Sequence, residues 1–130
     1  MSVEFKDPVE APPPAANYRN LAIVPPGKRL LIISGQIGNR MDGTIIEGLE
    51  AQYEQALSNI DAIVASEGGT SIDIAKITIF LTEEPSGRGL IGEANRKYFP
   101  EGPPAMSWIR VAGLFRPEIK VEVEALAAVD

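Results

Sequence analysis

The chain has 130 residues, a formal net charge of −6, and neither cysteine nor histidine. This length fits one domain over residues 1–130, and the acidic balance argues against a nucleic-acid partner, because nucleic acids are bound through basic patches. Without thiolates and imidazoles, the chain lacks the usual zinc and copper ligands and two common catalytic groups. Any catalysis must use carboxylates, hydroxyls, Lys, Arg or backbone amides, and we expect neither a metal nor another cofactor.

The sequence also carries no pattern typical of membrane or secreted proteins. No stretch approaches the roughly 18 apolar residues that a membrane-spanning helix needs. The first residues lack the basic start and apolar core of a signal peptide, and there are no cysteines to form disulfides. We therefore expect a cytoplasmic protein that makes no membrane contact.

The first third of the chain favours strands. Two short strands are predicted at residues 3–6 and 19–24, with the extended connection Pro12-Pro13-Pro14 between them. A turn is predicted at residues 25–28, because its two prolines cannot donate to a strand ladder. Residues 30–36 are rich in Ile and Leu, and they predict a strong third strand.

Helices and strands alternate in the rest of the chain. Apolar residues recur at spacings of three and four over residues 48–67, which predicts a helix that the following glycine pair ends. Residues 74–81 predict a buried strand, and residues 91–99 a shorter helix that ends before a proline. The last two strands are predicted at residues 105–111 and 119–127.

This order of elements predicts an α+β fold with both helices on one face of a single sheet. The other face must then be solvated or buried against another subunit. In the last strand, Lys120, Glu122 and Glu124 point to one side and apolar residues to the other. Residues 126–129 that follow are all apolar, which is unusual for a solvated end. We therefore predict that this end packs against a partner chain.

Five segments, taken in their order and spacing, resemble the Rid family (reactive intermediate deaminases, or YjgF-like proteins). The resemblance extends from about residue 12 to residue 127, and so covers nearly the whole chain. The five segments are Ser34-Gly35-Gln36-Ile37, residues 52–60, Asp73-Ile74-Ala75-Lys76, residues 98–105 and Lys120-Val121-Glu122-Val123-Glu124-Ala125.

The resemblance implies a chorismate-mutase-like α+β subunit that forms a homotrimer. The sheets would line a central barrel, and a cleft for a small molecule would lie between each pair of neighbouring subunits. Deaminases of the family hydrolyse 2-aminoacrylate-type enamines and imines to 2-keto acids and ammonia without a cofactor. The resemblance therefore implies a cofactor-independent imine or enamine hydrolase.

Roles in such a cleft can be carried over by position. Glu124 would be the catalytic carboxylate that positions the attacking water. Tyr18 would line the cleft from the neighbouring subunit, and Ser34 and Gly35 would form its wall. Each also has a simpler interpretation: a solvated strand carboxylate, a surface tyrosine and a strand end.

One position departs from the deaminases. Met106 stands where they carry the arginine that grips the substrate carboxylate, and Trp108 faces the same side of its strand. Together these two residues favour an uncharged or partly apolar ligand, although both could instead pack an interface. Arg19, Arg40 and Arg110 are candidates for the missing cation, and each could be an ordinary surface charge.

The residues and the resemblance together leave three functions open. The first is hydrolysis of an imine- or enamine-type metabolite, with a substrate that differs from the family's imino acids. The second is a non-catalytic trimer that binds a small molecule or a partner. The third, a ribonuclease, rests on family naming alone and conflicts with the acidic balance and the absence of histidine.

Overall fold

The fold is built on a four-stranded mixed sheet with helices on one face. The structure is a computed structural model that describes all 130 residues. In chain order the elements are β1 (Glu4–Lys6), β2 (Leu21–Ile23), β3 (Arg29–Gln36), α1 (Leu49–Ser66), β4 (Ile74–Leu81), α2 (Leu90–Tyr98), β5 (Ala105–Arg110) and β6 (Val121–Val129). The predicted α+β class and both predicted helices are confirmed, with bounds that differ by one residue at each end.

The strand order of the main sheet is β3-β6-β4-β5. The last strand, β6, runs antiparallel to both of its neighbours, whereas β5 runs parallel to β4. A parallel pair needs a long crossover, and α2 supplies it between β4 and β5. This order makes β3 and β5 the two edge strands, which is what separates the candidate site residues.

The main core lies between the sheet and α1. The helix buries one stripe of side chains, consisting of Leu49, Gln52, Tyr53, Ala56, Leu57, Ile60 and Val64. These side chains pack against alternate residues of β4 and β6, including Ile77, Ile79, Val121 and Val123, all of which are fully buried. Neither helix combines the length and hydrophobicity needed to cross a membrane.

The two N-terminal strands form a ribbon of their own, so the expectation of a single sheet needs correction. β1 and β2 pair only with each other, over three residues each. Prolines 25 and 26 follow β2 and cannot extend a ladder, and a single bridge from Arg19 to Ala105 reaches the main sheet. The ribbon covers one end of the face opposite the helices, where Val3 packs against Ala75 and Ala128.

The apolar C-terminal end is buried by its own chain, which corrects the predicted partner contact. Ala127, Ala128 and Val129 are at most 2 % exposed and belong to β6, where they pair with the first residues of β3. Their burial therefore requires no second subunit. Leu126, which is 40 % exposed, is the one apolar residue of this end that stays exposed.

Candidate functional site

The candidate residues lie at opposite edges of the sheet. Ser34 and Gly35 belong to β3, and Met106 and Trp108 belong to β5. Two strands separate these edges, and neighbouring strands are about 4.8 Å apart, so the two groups are roughly 14 Å apart across the sheet. One subunit therefore does not bring them together.

Ser34 and Gly35 form a β-bulge at the β3 edge. The ladder with β6 pairs Ile33 with Ala125 and resumes at Gln36 with Val123, so two residues of β3 stand opposite Glu124 alone. Both bulge residues are exposed, and the Gln36 side-chain amide donates to the Ser34 carbonyl at 3.0 Å. The bulge leaves an open stretch of backbone at the sheet edge.

A second carboxylate, Glu122, lies directly on this bulge. A Cβ atom added to Gly35 would come within 2.6 Å of the Glu122 carboxyl carbon, so only glycine leaves room for the side chain as it stands. Glu122 has no ion-pair partner. The family resemblance implies the catalytic role for Glu124 and not for Glu122, although the alternation of β6 puts both on the same face. The missed signal was the glycine at position 35.

Glu124 itself occupies a shallow cleft on the open face of the sheet. It stands opposite Thr78 of β4, and the cleft of about 170 Å³ is also lined by Ile32, Lys76 and Leu126. The Lys76 ammonium donates to Ser107 Oγ at 2.8 Å and forms no ion pair with Glu124. Glu124 is therefore exposed and free to contact solvent or a ligand.

Tyr18 lies at the other edge, next to β5 of its own chain. The neighbouring Arg19 amide donates to the Pro104 carbonyl at 3.2 Å, directly before β5 begins. The Tyr18 hydroxyl accepts from the Ala15 amide at 3.1 Å, and its ring packs against the main core. Within one chain Tyr18 is therefore at the β5 edge, whereas Ser34 and Gly35 are at the β3 edge; a cleft shared by all three across a subunit boundary stays a prediction.

Met106 and Trp108 face the helices. They stand beside Ile77 and Ile79 of β4, both fully buried on the helix side of the sheet. Met106 is 7 % exposed and belongs to the main core of its own chain, so within one subunit it is available neither as the expected ligand contact nor for the alternative of interface packing. Trp108 is 38 % exposed, and its ring lies 5.4 Å from that of Tyr53 at an angle of 43°.

We call the space above Trp108 the Trp108 cleft. It has a volume of about 440 Å³ and opens to solvent, and it is bounded by the loop from Pro85 to Gly89 and the start of α2. The lining residues are Glu50, Pro85, Ser86, Gly87, Gly89, Leu90, Ile91 and Trp108. The Glu50 carboxylate accepts a hydrogen bond from the Ser86 amide, and contact with Ser86 holds the pKa of Glu50 below its usual value.

The three arginines proposed as substitute cations all have partners. Arg19 Nε donates to Asp7 Oδ2 at 3.1 Å, and Arg110 pairs with Glu84. Arg40 donates to Thr44 Oγ1 at 3.2 Å within its own turn. Sequence reasoning passed over Arg96, whose guanidinium would lie 3.3 Å from a Cβ at Gly92 and which forms no ion pair. No group of three or more acidic side chains could hold a metal ion.

Comparisons with known proteins give the chain its family. The sequence model described as Endoribonuclease L-PSP matches residues 9–129. A RutC family protein of Aquifex aeolicus is 33 % identical over an alignment of 127 residues that covers 95 % of this chain and 98 % of that protein. A 2-iminobutanoate/2-iminopropanoate deaminase of Salmonella typhimurium is 33 % identical over 102 residues, covering 75 % of this chain and 78 % of that protein.

The solved structures agree. A protein of unknown function, YyfB of the conserved Rid protein family from Yersinia pestis, matches with a TM-score of 0.87 at 25 % identity. That match covers 99 % of this chain and 100 % of the other. The fold is thus that of the Rid proteins, and this chain belongs to the Endoribonuclease L-PSP family, of which Rid and YjgF-like proteins are members.

Proposed function

We propose that the protein is a hydrolase that converts an imine- or enamine-type metabolite to a carbonyl compound and ammonia. The observation that carries the proposal is the Glu122 carboxylate, which lies without an ion-pair partner on the exposed Gly35 backbone. The names of the deaminases similar to this chain support the reaction class. Glu122 takes the role that the family resemblance gave to Glu124.

A carboxylate in this place is a sufficient catalyst for imine hydrolysis. The carbon of a protonated imine is already electrophilic, so the reaction needs an oriented water and a proton carrier. Glu122 accepts a proton as the water adds to the carbon, and it returns that proton to the nitrogen of the adduct. As the carbon–nitrogen bond breaks and the carbonyl forms, Glu122 takes the remaining hydroxyl proton and passes it to the departing ammonia, which leaves as ammonium. Such general acid–base assistance contributes about 10²- to 10⁴-fold to the rate.

The cleft is proposed to form between subunits of a homotrimer. A ligand that touches both Glu122 at the β3 edge and Trp108 at the β5 edge must bridge two chains, because the edges of one sheet are separated by two strands. In a cyclic trimer the same two edges meet at each boundary. The open sheet face supports this assembly, since Leu30 and Ile32 are 55 % and 78 % exposed on it.

The proposal is tested by generating imines in situ with an amino-acid oxidase and an amine oxidase, and by measuring release of the carbonyl product and ammonia. We expect turnover above the uncatalysed rate, lost in Glu122→Gln. The matched control is Glu10→Gln, an exposed carboxylate far along the chain from the bulge. Glu124→Gln decides between the two carboxylates. If turnover were lost in Glu124→Gln and kept in Glu122→Gln, Glu124 would be the catalytic carboxylate.

A non-catalytic binding trimer is the second candidate. It is supported by Met106, a buried apolar side chain at the position where the family resemblance implies a carboxylate-binding arginine. Absence of turnover with every imine, together with saturable ligand binding at Trp108, would favour this function over hydrolysis.

A further inference from the structure

We propose that the Trp108 cleft selects the substrate, and that it takes a neutral or cationic apolar group without a carboxylate. The substrate would then be an imine derived from an amine rather than from an amino acid. This inference rests on the proposed hydrolase function and specifies its substrate class.

The floor of the cleft is the indole ring of Trp108, which packs against a second aromatic ring. Trp108 leans against Tyr53, which is fully buried and whose hydroxyl donates to Asn95 Oδ1 at 2.6 Å. These contacts hold the indole in place while more than a third of the residue stays exposed. The side walls are apolar, formed by Pro85, Leu90 and Ile91. A fixed, exposed indole is a good surface for an apolar or cationic group.

The charge on the cleft wall is negative. Glu50 is the one ionisable residue among those that line the cleft. Its hydrogen bond from Ser86 ties the loop to the first turn of α1 and keeps the carboxylate at the wall. Arg88, which does not line the cleft, helps to lower the pKa of Glu50 but forms no ion pair with it. A ligand carboxylate would meet the Glu50 charge with no cation among the lining residues, whereas an ammonium or iminium group would be attracted to it.

The nearest cations do not reverse this balance. Arg88 Nε is directed to Ser86 Oγ at 3.3 Å, and the residue does not line the cleft. Arg96 lies over Gly92, one turn further along α2, and is likewise outside the lining. The Trp108 cleft therefore differs from a site built around an arginine in its net charge, which is negative, as well as in its shape.

The chemistry is consistent with a cationic substrate. A protonated imine of an amine carries one positive charge and no carboxylate. Water adds to its carbon, the carbon–nitrogen bond breaks, and the products are a neutral aldehyde or ketone and an ammonium ion. Both the substrate and the ammonium product suit a cleft with an indole floor and a carboxylate wall.

The inference can be tested without turnover, because Trp108 is the only tryptophan of the chain. Its fluorescence would be titrated with benzylamine, benzyl alcohol and benzoate, which are cationic, neutral and anionic probes of similar size. We expect benzylamine to bind about three- to thirty-fold more tightly than benzoate, with benzyl alcohol in between. Glu50→Gln keeps an acceptor for Ser86 but removes the charge, so it should remove the preference for benzylamine over benzyl alcohol.

The control is Glu93→Gln, since Glu93 lies on α2 but does not line the cleft; the preference should persist there. Tighter binding of benzoate than of benzylamine would overturn the inference. If Arg96→Gln then lost the tight binding of benzoate, Arg96 would be the residue that binds the anion. No fluorescence response to any probe would also overturn it. If either overturning result were found and the protein still hydrolysed imino acids, the proposed hydrolase function would stand and only the substrate class would be wrong. If benzylamine bound as expected but no imine were turned over, the hydrolase function would be contradicted and the binding preference would stand.

Discussion

At the scale of single residues, two buried polar side chains of α1 connect the core to the candidate site. Gln52 is 1 % exposed, and its amide nitrogen donates to the carbonyls of Ile46 and Glu118 at 2.9 and 2.8 Å. Its oxygen accepts from the Lys120 amide at 2.8 Å. These bonds fix the chain directly before β6, and so they help to set the position of Glu122 two residues later. Tyr53 supports Trp108 in a similar way.

Tyr53 gives a pH-dependent stability that one variant can isolate. Burial raises the pKa of Tyr53 above its ordinary value of 10.0, so the folded state holds the phenolic proton more tightly than the unfolded state does. The corresponding stability is complete below about pH 10 and is lost as the pH rises further, by up to about 1.4 kcal/mol per pH unit. In Tyr53→Phe this loss is absent.

The measurement is the free energy of unfolding in urea as a function of pH. Between pH 6 and pH 8 we expect the wild type to exceed Tyr53→Phe by a constant amount, about 0.5–1.5 kcal/mol from the Asn95 hydrogen bond. Above pH 10 the difference should shrink. A difference that stays constant through pH 11 would contradict this role of burial.

Gly35 provides a test of where the reactive carboxylate lies. In Gly35→Ala the new methyl group would occupy the space of the Glu122 carboxyl group, which sits at the end of a flexible side chain and can rotate away. We expect stability to change by less than about 1 kcal/mol, while hydrolysis falls about ten- to a hundredfold because the carboxylate is displaced. Gly113→Ala, where a Cβ meets nothing within 4 Å, is the matched control. Full activity of Gly35→Ala would exclude Glu122 from the reaction.

The sequence carried part of this residue-level information. Alternation along β6 predicted that Glu122 and Glu124 share a face, and the structure confirms it, with Val121 and Val123 buried on the other. Which carboxylate lies on the Ser34-Gly35 bulge depends on the register between β3 and β6, which no local pattern encodes. The burial of Met106 likewise depends on the neighbouring strand β4 and on the helices above it.

At the scale of elements, periodicity and turn residues were sufficient to find both helices and all six strands. The spacing of apolar residues predicted α1 to within one residue of Leu49–Ser66. The pairing of β1 and β2 with each other was not predictable from their residues, since a three-residue strand can join any open edge. The C-terminal end was misinterpreted for a similar reason: its own ribbon and core bury it, and a sequence does not show which surface covers an apolar segment.

Gly38 tests the close approach of the segment after β3 to α1. A Cβ on Gly38 would lie 2.4 Å from the Gln52 Cα, a helix backbone atom that cannot rotate away, and 2.6 Å from the Gln52 Cβ. We expect Gly38→Ala to lower the free energy of unfolding by about 1–3 kcal/mol, as overpacking usually does. The measurement is urea unfolding of Gly38→Ala, with Gly113→Ala as the control. Equal unfolding midpoints for the two variants would show that the segment around Gly38 moves away from α1.

At the scale of the whole molecule, the face of the sheet opposite the helices is only partly covered. Ile32 is 78 % exposed there and contributes little to the stability of one subunit. In the proposed trimer this face is buried, so Ile32→Glu should dissociate the assembly and leave the subunit folded. Light scattering should give about three times 14.0 kDa for the wild type and 14.0 kDa for the variant.

The control for this experiment is Val9→Glu, because Val9 is 94 % exposed outside the sheet. It should retain the mass of the wild type. A wild-type mass of 14.0 kDa would remove the trimer and the cleft between subunits, and an Ile32→Glu trimer would place the contact elsewhere on the surface.

Subunit mixing tests the central claim, hydrolysis at a cleft shared by two chains, most directly. Glu122→Gln removes the carboxylate that lies on the bulge at the β3 edge, and Trp108→Ala removes the aromatic ring at the β5 edge. Each variant alone is expected to be an inactive trimer. After unfolding and refolding the two together in equal amounts, about a quarter of the clefts should combine an intact β3 edge with an intact β5 edge. Ammonia release should then return to about a quarter of the wild-type rate. Mixed trimers that remain inactive would contradict the account, because a site within one chain cannot be restored by mixing.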